Sequence, residues 1–123
     1  MSKETIAKWL DTPQESDYAA AESYLSLIYD NESVIELVTN LKQAQISHFN
    51  SKDIFRASGL SLLGVSNHHV NKDRQKIYAR IVLSPLLLIR DKTNGKVIIA
   101  DGYHRLCAIY AADEDAVIPC KIA

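Results

Sequence analysis

The sequence predicts an α+β fold, with helices in its first half and strands in its second. Apolar residues recur at helical spacing before residue 42. After Pro85, short apolar runs alternate with turn residues, which is typical of strands. With 123 residues, 47% of them apolar, the chain is long enough to bury a core of its own.

Residues 1–50 are predicted to form a helical segment that packs on the rest of the domain. A first helix is capped by Ser16 or Asp17 and runs through Tyr29, and Ser33 is the N-cap of a second helix. The two helices form a hairpin. Their apolar positions are Tyr18, Ala21, Tyr24, Leu25 and Ile28, then Val34, Leu37, Val38 and Leu41.

Residues 51–123 are predicted to form the α+β domain, which makes one compact unit with the segment before it. Ser51 caps a short helix that ends at Gly59, and another helix spans about 71–80. Strands are expected at Leu86–Arg90, Lys96–Ala100 and Val117–Ile122, with a helix from about His104 to Ala111 before the last strand.

Charge and composition argue against several classes of protein. A net charge of −1 argues against DNA binding through bulk charge. The longest apolar run, Pro85–Ile89, is too short to span a bilayer, and the first residues do not resemble a signal peptide. Cys107 and Cys120 lack zinc-ligand spacing. We therefore expect a cytoplasmic protein with two buried thiols and no membrane partner.

The segment Asp101–Arg105 stands where an apolar strand ends and a helix begins. Gly102 permits a positive φ, and the first amides of the helix present unpaired donors at the positive end of its dipole. His104 and Arg105 can donate to phosphate, and Asp101 can cap the helix, ligate Mg²⁺ or orient His104. Asp-Gly is also a common turn dipeptide, and a solvated surface turn is the alternative.

The residues around this turn resemble the ParB/sulfiredoxin superfamily. Sulfiredoxins have a Gly-Gly-Cys-His-Arg turn, a helix of small residues and an Ile-Pro-Ala-Lys strand; ParB-type domains have a related arginine-containing turn. This chain has Asp-Gly-Tyr-His-Arg at 101–105 and Ile-Pro-Cys-Lys at 118–121. Asn67-His68-His69, Ser84-Pro85 and a strand ending at Arg90 agree in order, so the resemblance covers about residues 60–123.

The resemblance implies a small mixed sheet with packed helices and a site for ATP or CTP with Mg²⁺. Gly102, Tyr103, His104 and Arg105 match the phosphate-binding turn. Lys72 and Lys76 on the preceding helix would complete the pocket, and Asn67 and His69 would line its opposite side.

The chain departs from both relatives, so we expect a small stand-alone member of the superfamily. Tyr103 replaces the catalytic cysteine of sulfiredoxin, and a phenol with a pKa near 10 stays protonated at neutral pH. Cys107, one helical turn on, is read as a core residue. A full-length ParB needs a helix-turn-helix and a dimerising tail after this domain, which residues 60–123 do not include.

Three functions stay open. The first is nucleotide binding with phosphoryl transfer or hydrolysis, in which Asp101 and His104 are catalytic and Asp101 holds Mg²⁺. The second is a DNA-associated nuclease or partition-type module. The third is a non-enzymatic interaction module, in which the N-terminal helices form a homodimer or bind another protein.

Overall fold

A computed structural model describes residues 7–60 and 82–123 and confirms the α+β class. In chain order the elements are β1 (Lys8–Trp9), α1 (Glu15–Leu25), α2 (Asn31–Gln43), β2 (Ser47–Asn50), α3 (Ser51–Ser58), β3 (Val82–Leu83), β4 (Leu86–Asp91), β5 (Lys96–Asp101), α4 (Tyr103–Ala112) and β6 (Val117–Ile122). Within these ranges no helix is long and apolar enough to cross a membrane.

Four strands form one mixed sheet in the order β2-β6-β4-β5. β4 and β5 are an antiparallel hairpin, β6 runs parallel to β4, and β2 runs antiparallel to β6. Gly95 adopts a φ of 64° in the turn between β4 and β5, a conformation that favours glycine. β1 and β3 form a separate two-stranded parallel pair.

Helices cover both faces of the sheet. Leu86 and Leu88 of β4 pack with α3 and α4, whereas Leu87 and Ile89 pack with α1 and α2. Because successive side chains of a strand point to opposite faces, a strand buried on both sides reads as an unbroken apolar run. The run Leu86–Ile89 therefore lies at the centre of a helix–sheet–helix sandwich.

The helix starts differ from the predicted caps. Asp30, not Ser33, caps α2, since its carboxylate accepts the Ser33 backbone N–H at 2.8 Å. Asn50 caps α3 in the same way, and Ser51 is instead buried with its hydroxyl donating to the Glu114 carbonyl at 2.6 Å. In both helices an extended polar residue upstream of the predicted cap reaches the free amides first.

The strand β2 was missed by the sequence reading. Its four residues, Ser47–Asn50, pair with β6 and place a strand of the sheet within the segment assigned as helical. Only Phe49 is strongly apolar there, so the segment lacks the alternation of apolar and polar residues that predicts a strand. Pairing with β6, rather than local preference, makes these residues a strand.

Lys121 fastens the α1–α2 layer to the sheet. Its side chain is buried on β6, and its ammonium donates to the Lys42 carbonyl at the end of α2 at 2.9 Å. The same ammonium lies 5.7 Å from the centre of the Tyr18 ring on α1. A buried cation is therefore satisfied by the negative end of a helix dipole and an aromatic face.

Candidate functional site

Strand β5, Gly102 and helix α4 form the strand–turn–helix unit that the sequence predicts. Gly102 is the N-cap of α4 with φ 109° and ψ 15°, a backbone conformation that favours glycine. A Cβ at this position would lie 2.6 Å from Cγ of the buried Leu86. Conformation and space therefore both require glycine where the strand turns into the helix.

The first turn of α4 keeps the features that suit an anion. It contains no acidic residue, and its N-cap, Gly102, has no side chain with which to cap the helix. The first amides of an α-helix have no partner within the helix, and the dipole is positive there. Tyr103 and His104 are half-buried at this turn with their rings 5.3 Å apart in an edge-to-face arrangement.

Arg105 is held by two carboxylates of the chain. Its Nη2 lies 2.7 Å from Asp101 Oδ2, and its Nη1 lies 3.5 Å from Asp17 Oδ1. The side chains of all three are less than a fifth exposed. A phosphate at this turn would compete with these carboxylates for the guanidinium.

A β-bulge determines which way Asp101 faces. Leu88 pairs with Ile99, but Leu87 pairs with Asp101, so β5 has one extra residue there. Residues directly opposite each other in a ladder point to the same face, and Leu87 packs with α1 and α2. Asp101 is therefore turned towards α1, where Asp17 lies.

Asp17 is the site residue whose role the sequence reading missed. Ser16 or Asp17 was predicted as the N-cap of α1, but the N-cap is Gln14. Asp17 is the third residue of the helix, and its Oδ2 accepts the Gln14 N–H at 2.8 Å. Its other oxygen faces Arg105 on α4. An aspartate in the first turn of a helix is common, so no local signal distinguishes this one from an ordinary cap.

The N-cap position of α4 is Gly102, and the carboxylate of Asp101, one residue before it, accepts a hydrogen bond from the Arg105 guanidinium at 2.7 Å. The pKa of Asp101 is raised from 3.8 to about 6: burial raises it most, the Arg105 guanidinium lowers it, and the Asp17 carboxyl adds a smaller increase. A carboxyl that titrates near neutral pH is suited to accept or donate a proton.

Among the described residues, Asp101 does not belong to a preformed set of metal ligands. Within residues 7–60 and 82–123, no three His, Cys, Asp or Glu side chains converge on a point that could hold an ion. Mg²⁺ needs only one or two carboxylates when phosphates supply its other ligands. Asp101 can supply one such carboxylate to Mg²⁺ if the contact between Asp101 and Arg105 is broken.

Four of the predicted site residues lie outside the described part of the chain. They are Asn67, His69, Lys72 and Lys76. The predicted helix over 71–80 lies in the same stretch. Of the predicted phosphate-binding residues, the structure thus places Gly102, Tyr103, His104 and Arg105 together, with Asp101 beside them.

Comparison with known proteins found no relative: the chain matches no family model, no curated protein and no solved structure. The resemblance to the ParB/sulfiredoxin superfamily therefore stays a prediction from the turn at 101–105 and the two strands that flank α4.

Proposed function

We propose that this protein binds the phosphate groups of a nucleotide, ATP or CTP, at the first turn of α4. One observation carries the proposal: β5 passes through the left-handed Gly102, an N-cap with no side chain of its own, into a helix whose first turn has no acidic residue. Helix starts of this kind bind phosphate through backbone amides and the helix dipole. The resemblance of residues 101–105 to a phosphate-binding turn supports the same ligand class.

In this proposal Arg105 keeps a structural contact with a carboxylate of the chain and also donates to the bound phosphate. A guanidinium has five N–H donors, and its contact with Asp17 at 3.5 Å is longer than its contact with Asp101 at 2.7 Å. A phosphate oxygen would replace the longer contact while Asp101 keeps the shorter one. His104, next to Arg105 in the first turn, would donate to the same phosphates.

The raised pKa of Asp101 extends the proposal to hydrolysis or phosphoryl transfer. A carboxyl with a pKa of about 6 can take the proton of an attacking water or hydroxyl near neutral pH. Mg²⁺ bound with the nucleotide would neutralise charge on the phosphates. Asp101 would then act as the base, and the helix start would stabilise negative charge on the transferred group.

Calorimetric titration with ATP and CTP, each with and without Mg²⁺, tests the proposal. We expect saturable binding of one nucleotide and a loss of at least about tenfold in affinity for His104→Ala, since a charge-assisted contact contributes about 1.5–3 kcal/mol. His48→Ala is the matched control, because His48 is exposed on β2. The proposal fails if neither nucleotide binds at millimolar concentration, or if the two variants bind equally well.

A further inference from the structure

An apolar stripe lies exposed along α1 and the turn after it. We call Ala20, Tyr24, Leu27 and Ile28 the α1 stripe; their spacing of four, three and one residues keeps them on one helix face. Leu27 and Ile28 follow the last helical residue, but their N–H groups still bond the carbonyls of Tyr24 and Leu25 at 3.1 and 2.9 Å. Leu27 is 83% exposed, and Tyr24 and Ile28 are roughly half exposed.

The α1 stripe is not the face with which α1 packs on the sheet. That face consists of Tyr18, Ala21 and Leu25, which are buried with β4 and β5. A surface helix of a globular domain usually has one apolar face and covers the opposite one with charged residues. α1 instead has a second apolar face, on which Tyr24, Leu27 and Ile28 are exposed, and a contiguous exposed apolar patch is typical of a binding surface.

The two exposed charged residues of α1, Glu15 and Glu22, lie away from the stripe. Glu15 lies 3.9 Å from Lys42, so it is on the side of α1 that faces α2. Glu22 is seven residues further on, about two helical turns, and therefore lies on the same side. The other exposed residues of α1, besides the stripe, are the small Ser16, Ala19 and Ser23, which leave room for a partner to approach closely.

The α1–α2 hairpin that carries the α1 stripe is acidic on balance, although Lys42 near the end of α2 lies 3.9 Å from Glu15 and Asp17 is paired with Arg105. Between residues 11 and 41 the chain has no Lys or Arg. The acidic residues in this interval are Asp11, Glu15, Asp17, Glu22, Asp30, Glu32 and Glu36. The net charge of the whole chain is only −1, so the α1–α2 hairpin holds most of the acidic excess and the rest of the chain is basic on balance.

We propose that the α1 stripe binds an amphipathic helix whose apolar face is flanked by lysine and arginine. A row of apolar side chains about two helical turns long fits the groove between side chains of another helix. Basic flanks on that helix would complement the acidic hairpin and speed its association. A second copy of this chain is disfavoured, because a two-fold interface through the stripe would bring two acidic hairpins together.

The test uses two synthetic helical peptides of about 18 residues with the same leucine stripe, one flanked by lysine and one by glutamate. Fluorescence anisotropy with the full chain should show micromolar binding of the lysine peptide that weakens as salt rises. The glutamate peptide should bind at least about tenfold more weakly. Leu27→Ser with Ile28→Ser should weaken binding of the lysine peptide about tenfold or more, since both lost side chains are apolar contacts.

Val117→Ser is the control, since Val117 is also exposed but lies on β6. Glu22→Lys provides a second readout, because it leaves the apolar stripe intact but makes the hairpin less negative by two charges. The ratio of lysine-peptide affinity to glutamate-peptide affinity should therefore fall. Three results would overturn the proposal: equal binding of the two peptides, unchanged binding by the Leu27/Ile28 variant, or no binding. A wild-type dimer in sedimentation that this variant abolishes would instead assign the stripe to a second copy.

Discussion

Asp17 and Asp101 hold the guanidinium of Arg105 between them, one from the first helix and one from the end of an edge strand. The three side chains are mostly buried, so solvent and salt screen this cluster less than they screen surface pairs. Through it, the N-terminal helix reaches the turn that begins α4. The segment before residue 51 is therefore part of the architecture of the candidate site.

The cluster predicts an unusual dependence of stability on pH. The pKa of Asp101 is about 6 in the folded chain and 3.8 is its ordinary value, so between these values the folded chain binds more protons than the unfolded chain. The contribution of Asp101 is then complete below about pH 4 and is lost as pH rises to about 6. Allowing for partial exposure, the loss is on the order of 1–3 kcal/mol.

Urea denaturation of wild type and Asp101→Asn across pH 4–7 measures this contribution. The amide cannot titrate, so the difference in unfolding free energy between the two proteins should shift in favour of Asp101→Asn as pH rises. Comparing the two removes the contributions of the other carboxylates. A difference that stays constant over this range would contradict the raised pKa.

Replacing Gly102 should damage the fold more than replacing a glycine with free space around it. In Gly102→Ala the new Cβ meets Leu86 at 2.6 Å and the backbone must hold a positive φ, which together cost about 2–4 kcal/mol. Gly59→Ala has a positive φ but no atom within 4 Å of its Cβ, so about 1 kcal/mol is expected. Thermal unfolding of both variants measures which one loses more stability. Equal losses of unfolding free energy would mean that the contact with Leu86 is unimportant.

Asp17→Asn tests whether Arg105 serves a bound phosphate. If the guanidinium exchanges Asp17 for a phosphate oxygen, removing that negative charge removes a competitor, and nucleotide affinity should rise about threefold or more at low salt. The asparagine side chain still offers an oxygen to the Gln14 N–H, so α1 keeps its cap. Asp53→Asn, on the exposed face of α3, is the control in the same titration. An unchanged or reduced affinity would limit Arg105 to a structural role.

The two cysteines should be inert in the folded protein. Cys107 and Cys120 are both buried and unpaired, and burial raises the pKa of both thiols, that of Cys120 to about 12. Since the thiolate is the reactive form, a thiol reagent at pH 8 should react at least about a hundredfold more slowly with folded than with urea-unfolded protein. Rapid labelling of either cysteine under native conditions would contradict this arrangement.

Lys121 should contribute more to stability than an ordinary strand lysine. Lys121→Ala removes the ammonium from the Lys42 carbonyl and the Tyr18 ring, for an expected loss of about 1–3 kcal/mol. Lys96→Ala, at the exposed start of β5, should change stability by less than about 0.5 kcal/mol. Chemical denaturation compares the two, and similar losses would show that the Lys121 contacts do not stabilise the fold.

The elements that were predicted correctly are those with strong local signals. Gly95 closes the β4–β5 hairpin, Gly59 ends α3 and Gly102 starts α4, and all three glycines have a positive φ. The uninterrupted apolar run of β4 indicated a strand buried on both faces. The N-caps were less predictable. Asp30 and Ser33 for α2, and Asn50 and Ser51 for α3, are all good capping residues, and the local sequence does not specify which residue is the first in helical conformation.

By itself the sequence determined the α+β class, the hairpin and the glycine turn into α4, because spacing, turn residues and backbone sterics act within a few residues. The tertiary structure alone decided that β2 is a strand, that a bulge turns Asp101 towards α1, and that Asp17 meets Arg105. These features depend on contacts between residues far apart in the chain, whose energies exist only once the sheet and helices have packed. The candidate site combines both: a turn set by its own residues, and a charge environment set by the fold around it.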